Sequence, residues 1–158
     1  MTKYPLEIAI SRNADGWPGE LDAVAERAVL EALKQSKAKV KGAAEISILL
    51  TDDAEQQVLN RDWRGKDAPT NVLSFPQIEP FDPVVGILGD IILARETLER
   101  EAIEQGTSFE HHFTHLIVHG FLHILGYDHI EDDEALEMEG LETQILASLG
   151  VPDPYAED

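Results

Sequence analysis

The stretch His119-Gly120-Phe121-Leu122-His123-Ile124-Leu125-Gly126-Tyr127-Asp128-His129 joins helical spacing to metal-ligand chemistry, and the rest of the chain is read outward from it. Residues four apart on an α-helix project from one face, about one turn or ~5–6 Å along the axis, so His119 and His123 can offer ring nitrogens to one ion. Gly126 is where such a helix should stop, since glycine accepts the left-handed backbone that ends helices. The turn it allows can bring His129 back as a third ligand. Isolated histidines on a helix are ordinarily buried, hydrogen-bonded side chains, but three at H-x3-H-x5-H spacing around a helix-ending glycine point to a metal.

Three neutral imidazoles with no fourth protein ligand nearby describe an open coordination sphere, in which zinc keeps a water and lowers its pKa to around 7. Structural zinc sites close with four ligands, usually including cysteine, and this chain has no cysteine. Zinc is the expected ion, although three histidines also suit nickel, cobalt or copper. The same spacing occurs in zinc proteases of the H-E-x-x-H-x-x-G-x-x-H type, where the residue after the first histidine is the glutamate that takes a proton from the attacking water. Here that residue is Gly120, which keeps the cage and discards the peptidase base. Its small size leaves room for a substrate or a neighbouring helix to come close to the metal.

A chain of 158 residues suits one domain with a real core, expected to span 1–158, and is too short for two. No apolar run approaches the ~20 residues needed to span a bilayer, and no basic region followed by an apolar signal core opens the chain. The expectation is a soluble, cytoplasmic protein with no membrane partner. The 31 acidic and 12 basic residues give a formal charge of −19, which repels polyanions at long range. Any polyanion contact must therefore be local. Two basic groups are candidates: Arg61, Arg64 and Lys66, and the cluster Lys34, Lys37, Lys39 and Lys41, which reads more readily as a solvated helix end whose cations suit the C-terminal dipole.

Alternation over residues 6–10 predicts a strand, and apolar residues at helical spacing from Leu21 to Leu33 predict an amphipathic helix over 20–35. A second strand is expected at 44–50. Asp52 with Glu55 resembles a capping box opening a short helix with Ala54, Val58 and Leu59 on one side, ending near Asn60 or Trp63. After the loop 64–70, strands are expected at 71–75 and 86–93. Asp90 in the latter sits in apolar company and should have a structural partner, such as Arg95 or a loop backbone. A surface helix over 94–105 stops at Gly106. Thr107 with Glu110 offers a second capping box for the helix carrying the motif, whose stripe of Phe109, Phe113, Leu116, Ile117, Phe121 and Ile124 makes it the most buried one. His115 reads as a group behind the ligands, His111 and His112 as first-turn surface residues, and Asp128 as a group that orients an imidazole or caps the turn. A last helix over 131–149 has Met138, Leu141, Ile145 and Leu149 at core spacing.

The segments R-G-K-D-A-P-T-N-V-L-S-F-P at 64–76 and H-G-F-L-H-I-L-G-Y-D-H at 119–129, with G-D-I at 89–91 between them, resemble the bacterial YbeY family of metal-dependent single-strand endoribonucleases. The similarity runs from the first strand to the last helix. The resemblance implies an α+β fold, a small mixed sheet with helices around it, which agrees with the four strands and five helices read above. It implies a role in ribosomal RNA maturation, especially at the 3′ end of the small-subunit RNA, and in ribosome quality control, with the small ribosomal subunit and ribosome-associated proteins as partners. The family's metal-binding histidines fall on His119, His123 and His129, and the arginine that matters for its activity falls on Arg64. Such an ion would polarise a phosphoryl oxygen or activate water while Arg64 pairs with phosphate through its planar fork. With glycine at 120, the proton is left to hydroxide, His115, Asp128 or a substrate group. Two other readings use the same cage: a different hydrolase, such as a peptidase or deacylase, indifferent to Arg64, and a metal-stabilised ribosome-assembly factor that cuts nothing.

Overall fold

A computed structural model describes residues 6–68, 70–128 and 131–154. Among them the chain forms β1 (Leu6–Arg12), α1 (Leu21–Gln35), β2 (Val40–Thr51), α2 (Asp53–Arg64), β3 (Val72–Pro76), β4 (Val84–Ala94), α3 (Arg95–Gln105), α4 (Phe109–Leu125) and α5 (Asp132–Ser148). The four strands make one sheet in the order β1-β2-β4-β3. β1 and β4 run parallel to β2, and β3 closes one edge antiparallel to β4, so the sheet is mixed and the fold α+β, as expected.

The apolar stripe read from α1 is its buried face: Leu21, Val24, Ala25, Ala28, Val29, Ala32 and Leu33. Helix α4 is apolar almost all round, as a central helix must be. It packs against β3 and β4 on one side and α1, α3 and α5 on the others. Phe113, Ile117 and Phe121 are wholly excluded from solvent, so the motif helix is fixed on every flank.

Two local expectations need correction. The cap of α4 is Ser108, whose hydroxyl accepts from His111 N at 3.0 Å, one residue later than the Thr107–Glu110 box implies. On α2 the N-cap Asp52 is as read, accepting from Glu55 N at 2.9 Å, but the buried side is Gln56 and Asn60, while Val58 is 42% exposed. The reason is that α2 faces backbone rather than core. Gln56 Nε2 donates to Ile92 O (3.1 Å), its Oε1 accepts from Thr70 N (2.7 Å), and Asn60 Nδ2 donates to Ala68 O (2.8 Å). Buried backbone groups need such partners, and these amides hold the segment that follows Arg64.

Gly126 ends α4 at φ +121°, and a Cβ there would lie 2.7 Å from Phe81 N and 2.8 Å from Pro80 Cα. Both the backbone angle and the close approach of the 80–81 loop demand glycine. Gly65, which ends α2 at φ +74°, has open space around it. Gly126→Ala is therefore expected to cost about 2–4 kcal/mol in urea unfolding, from strain plus displaced backbone. Gly65→Ala should cost only about 1 kcal/mol, from strain alone; equal losses would show that the 80–81 contact contributes nothing.

Candidate metal centre and cleft

His119 and His123 lie one turn apart on α4, with ring centroids 4.6 Å apart and planes at 82°. Their Nε2 atoms approach to 3.1 Å. Two imidazole nitrogens at ~2.0–2.1 Å from a tetrahedral ion stand roughly 3.3–3.4 Å apart, so the pair fits one cation with little adjustment. His129, the third expected ligand, lies outside the described residues.

Behind His119 stands a residue the sequence reading passed over. Glu142 of α5 is completely buried, and its Oε1 accepts from His119 Nδ1. Its Oε2 is 3.6 Å from His115 Nε2. A carboxylate only accepts, so His119 carries its proton on Nδ1 and turns the Nε2 lone pair towards His123. Carboxylates that hold a ligating imidazole in this way fix its ring and tautomer. The signal was present in the chain: position 142 falls on the apolar stripe of Met138, Ile145 and Leu149, where a charged residue must be paired.

His115, His119 and Glu142 each bring one ligand atom within 4.8 Å of one another, so this cluster can itself hold a metal. His119 belongs to both groupings, through Nδ1 in one and Nε2 in the other. His119 and His123 line one cleft, and His115 lines another. The first of these, about 640 Å³, is lined by His119, His123, Asp128, Arg64, Asn71 and Ser74 among others. Arg64, the last residue of α2, thus shares this space with the imidazoles.

Gly120 lies against the sheet. Ser74 Oγ donates to Gly120 O at 3.2 Å, and a Cβ at 120 would meet Ser74 Oγ at 3.1 Å and Ile91 Cγ2 at 3.2 Å. The close neighbours are strands β3 and β4, not a substrate or another helix. Any side chain at 120 would have to displace Ser74, Ile91 or Val72, so packing as well as identity disfavours the peptidase base.

His112 differs from the surface position expected for it. It is 3% exposed, and its Nε2 lies 2.8 Å from Glu101 Oε1, which also accepts from Asn71 Nδ2 at 3.1 Å. Position 112 shares the inward face of Phe109, Phe113 and Leu116, so helical spacing could have placed it. Asp90 is also differently engaged: it accepts from Gln77 Nε2 at 3.4 Å, while Arg95 goes to Glu99 at 2.6 Å. Lys37 of the basic cluster pairs with Glu137 at 3.3 Å and lies 4.7 Å over the Phe81 ring.

The family model described as Endoribonuclease YbeY matches residues 11–150. A protein of that name from Bradyrhizobium sp. (strain BTAi1) is 55% identical over 151 residues, which cover 91% of this chain and 89% of the relative. Its namesake from Allorhizobium ampelinum is 52% identical over 164 residues, covering 99% and 97%. The solution structure of TM1509 from Thermotoga maritima superposes with a TM-score of 0.59 at 25% identity, covering 96% of this chain and 97% of that one.

Glu142→Gln keeps the shape of the side chain and puts an amide where the carboxylate was. It is expected to weaken zinc binding about 10- to 100-fold in competition with a chromophoric chelator, with the far-UV circular dichroism unchanged. Unaltered zinc affinity would show that Glu142 does not orient His119.

Proposed function

Because the chain belongs to the YbeY endoribonuclease family, we propose that it is a metal-dependent endoribonuclease that cuts single-stranded RNA. Its substrate in this reading is ribosomal RNA, at the 3′ end of the small-subunit RNA, and its setting is ribosome maturation and quality control in the cytoplasm. Consistent with that setting, no helix among the described residues is long and apolar enough to cross a membrane. His119, His123 and His129 are the proposed ligands, Zn2+ the proposed ion, and Arg64 the proposed phosphate-holding group. The observation that carries the reading is that His119 and His123, whose Nε2 atoms lie 3.1 Å apart, line the same cleft as Arg64.

When bound, the ion supplies Lewis acidity towards a phosphoryl oxygen and towards water. The chain's own residues do the rest. The Arg64 guanidinium, in the same cleft, pairs two donors with non-bridging phosphate oxygens and so sets the scissile bond near the imidazole pair. Glu142 keeps the His119 lone pair aimed at the cleft. Asp128 lines the cleft, whereas His115 is turned onto Glu142; of the two proton acceptors offered by the sequence, Asp128 is the one within reach of a substrate. Local cation chemistry of this kind is what a chain of net charge −19 requires to hold a polyanion at all. Peptide hydrolysis with the same cage is disfavoured by the strand packing at Gly120, and a role confined to assembly leaves the shared Arg64–imidazole cleft without a use.

His123→Ala is expected to lose zinc and RNA cleavage together. Arg64→Glu should keep zinc and lose about 10²–10³-fold in cleavage of a single-stranded RNA. Full cleavage by either variant, measured beside zinc content, would overturn the reading; cleavage of peptides with indifference to Arg64 would replace it with the hydrolase alternative.

A further inference from the structure

A second cavity, about 340 Å³, lies beside the imidazole cleft and takes no part in the chemistry above. It is lined by Leu59 and Trp63 of α2, Phe75 and Gln77 from β3 and just beyond it, and Asp90 and Ile92 of β4. Successive side chains of a strand point to opposite faces. Ser74 and Pro76 therefore line the imidazole cleft, while Phe75 and Gln77 line this cavity. The edge strand β3 is the ridge between the two. The last turn of α2 straddles the same ridge, with Arg64 on the imidazole side and Trp63 on the other.

Trp63 is 74% exposed, an unusual place for the largest apolar side chain. Two aromatic rings line this cavity, and its other wall carries a carboxylate with an amide at 3.4 Å, Asp90 with Gln77. Largely apolar, with two aromatic rings and one acceptor beside one donor, it has the chemistry of a pocket for an unstacked nucleobase: rings to stack on, and polar atoms for the edge of the base. We infer that this cavity binds one base of the RNA strand next to the phosphate held by Arg64, stacked on Trp63 and read by Asp90 and Gln77. The inference rests on the endoribonuclease reading and names a subsite for its substrate.

The chemistry of the floor also sets a preference. Asp90 accepts only, so it favours a base with an exocyclic amine, as cytosine, adenine and guanine have, and Gln77 Nε2 can donate to the acceptor ring nitrogen beside that amine in cytosine or adenine. Uracil offers two carbonyls flanking one N–H, which places an oxygen against the carboxylate. Asp90→Asn removes that conflict and should narrow the preference.

The test uses full-length, zinc-loaded protein and six-nucleotide RNAs of cytidine or uridine, followed by tryptophan emission on rapid mixing and by cleavage afterwards. Trp17 is buried and donates to Thr51 O, so Trp63 is the reporter exposed to the ligand. The oligocytidine is expected to quench emission. Trp63→Phe should abolish the quenching with affinity nearly kept, and Trp63→Ala should weaken binding about 5- to 100-fold. Asp90→Asn should bring oligouridine closer to oligocytidine. If wild type cleaves RNA but shows no quenching, and Trp63→Ala binds as wild type does, this inference falls and the endoribonuclease reading stands. Quenching and binding without any cleavage would support the pocket and remove the nuclease; neither binding nor cleavage would remove both.

Discussion

A carboxylate with no solvent contact has to be satisfied by protein, and in this fold Glu142 is satisfied by two imidazoles of the neighbouring helix. Burying an unpaired charge costs several kcal/mol, so α5 cannot slide or turn against α4 without losing those partners. The same contact decides which nitrogen of His119 keeps its proton and where the other lone pair points. Stability and site geometry therefore depend on one interaction.

The remainder of the molecule holds this arrangement in place. Helix α4 is packed against β3, β4, α1, α3 and α5, so its histidines stand on a helix held by most of the fold. At Gly120 the absence of a side chain lets β3 and β4 close on the helix, and at Gly126 it lets the 80–81 loop cross its end. Across the cleft, Gln56 and Asn60 grip the backbone after Arg64 with amide hydrogen bonds rather than apolar contact. A loop held by amides can be placed at the surface without a hydrophobic anchor, which suits the exposed segment that follows Arg64.

Periodicity made the sheet and helices legible: the stripe of α1 and the alternation of β1 are local patterns, and local patterns survive into the fold. The helical spacing of His119 and His123 was legible for the same reason, and the Arg64 segment through its likeness to a known family. What was not legible required a partner from elsewhere in the chain. Gln56 and Asn60 are buried because loop backbone lies over them, so the apolar Ala54, Val58 and Leu59 misled. Glu142 and His112 needed the opposite treatment: polar residues on inward-facing positions are signals in themselves, since burial there obliges a specific partner, and both have one. Asp90 was recognised as needing company, but which side chain supplied it depended on the packing of β3 against β4.

The proposed chemistry has two supports, family membership and a cleft lined by both His119 and His123 and by Arg64. Everything turns on which side of His119 takes the ion. Anomalous scattering at the zinc edge from a zinc-loaded crystal decides it. The account predicts a peak at ~2.0–2.1 Å from Nε2 of both His119 and His123, on the cleft side. A peak instead between His115 and Glu142, on the Nδ1 side of His119, would contradict it.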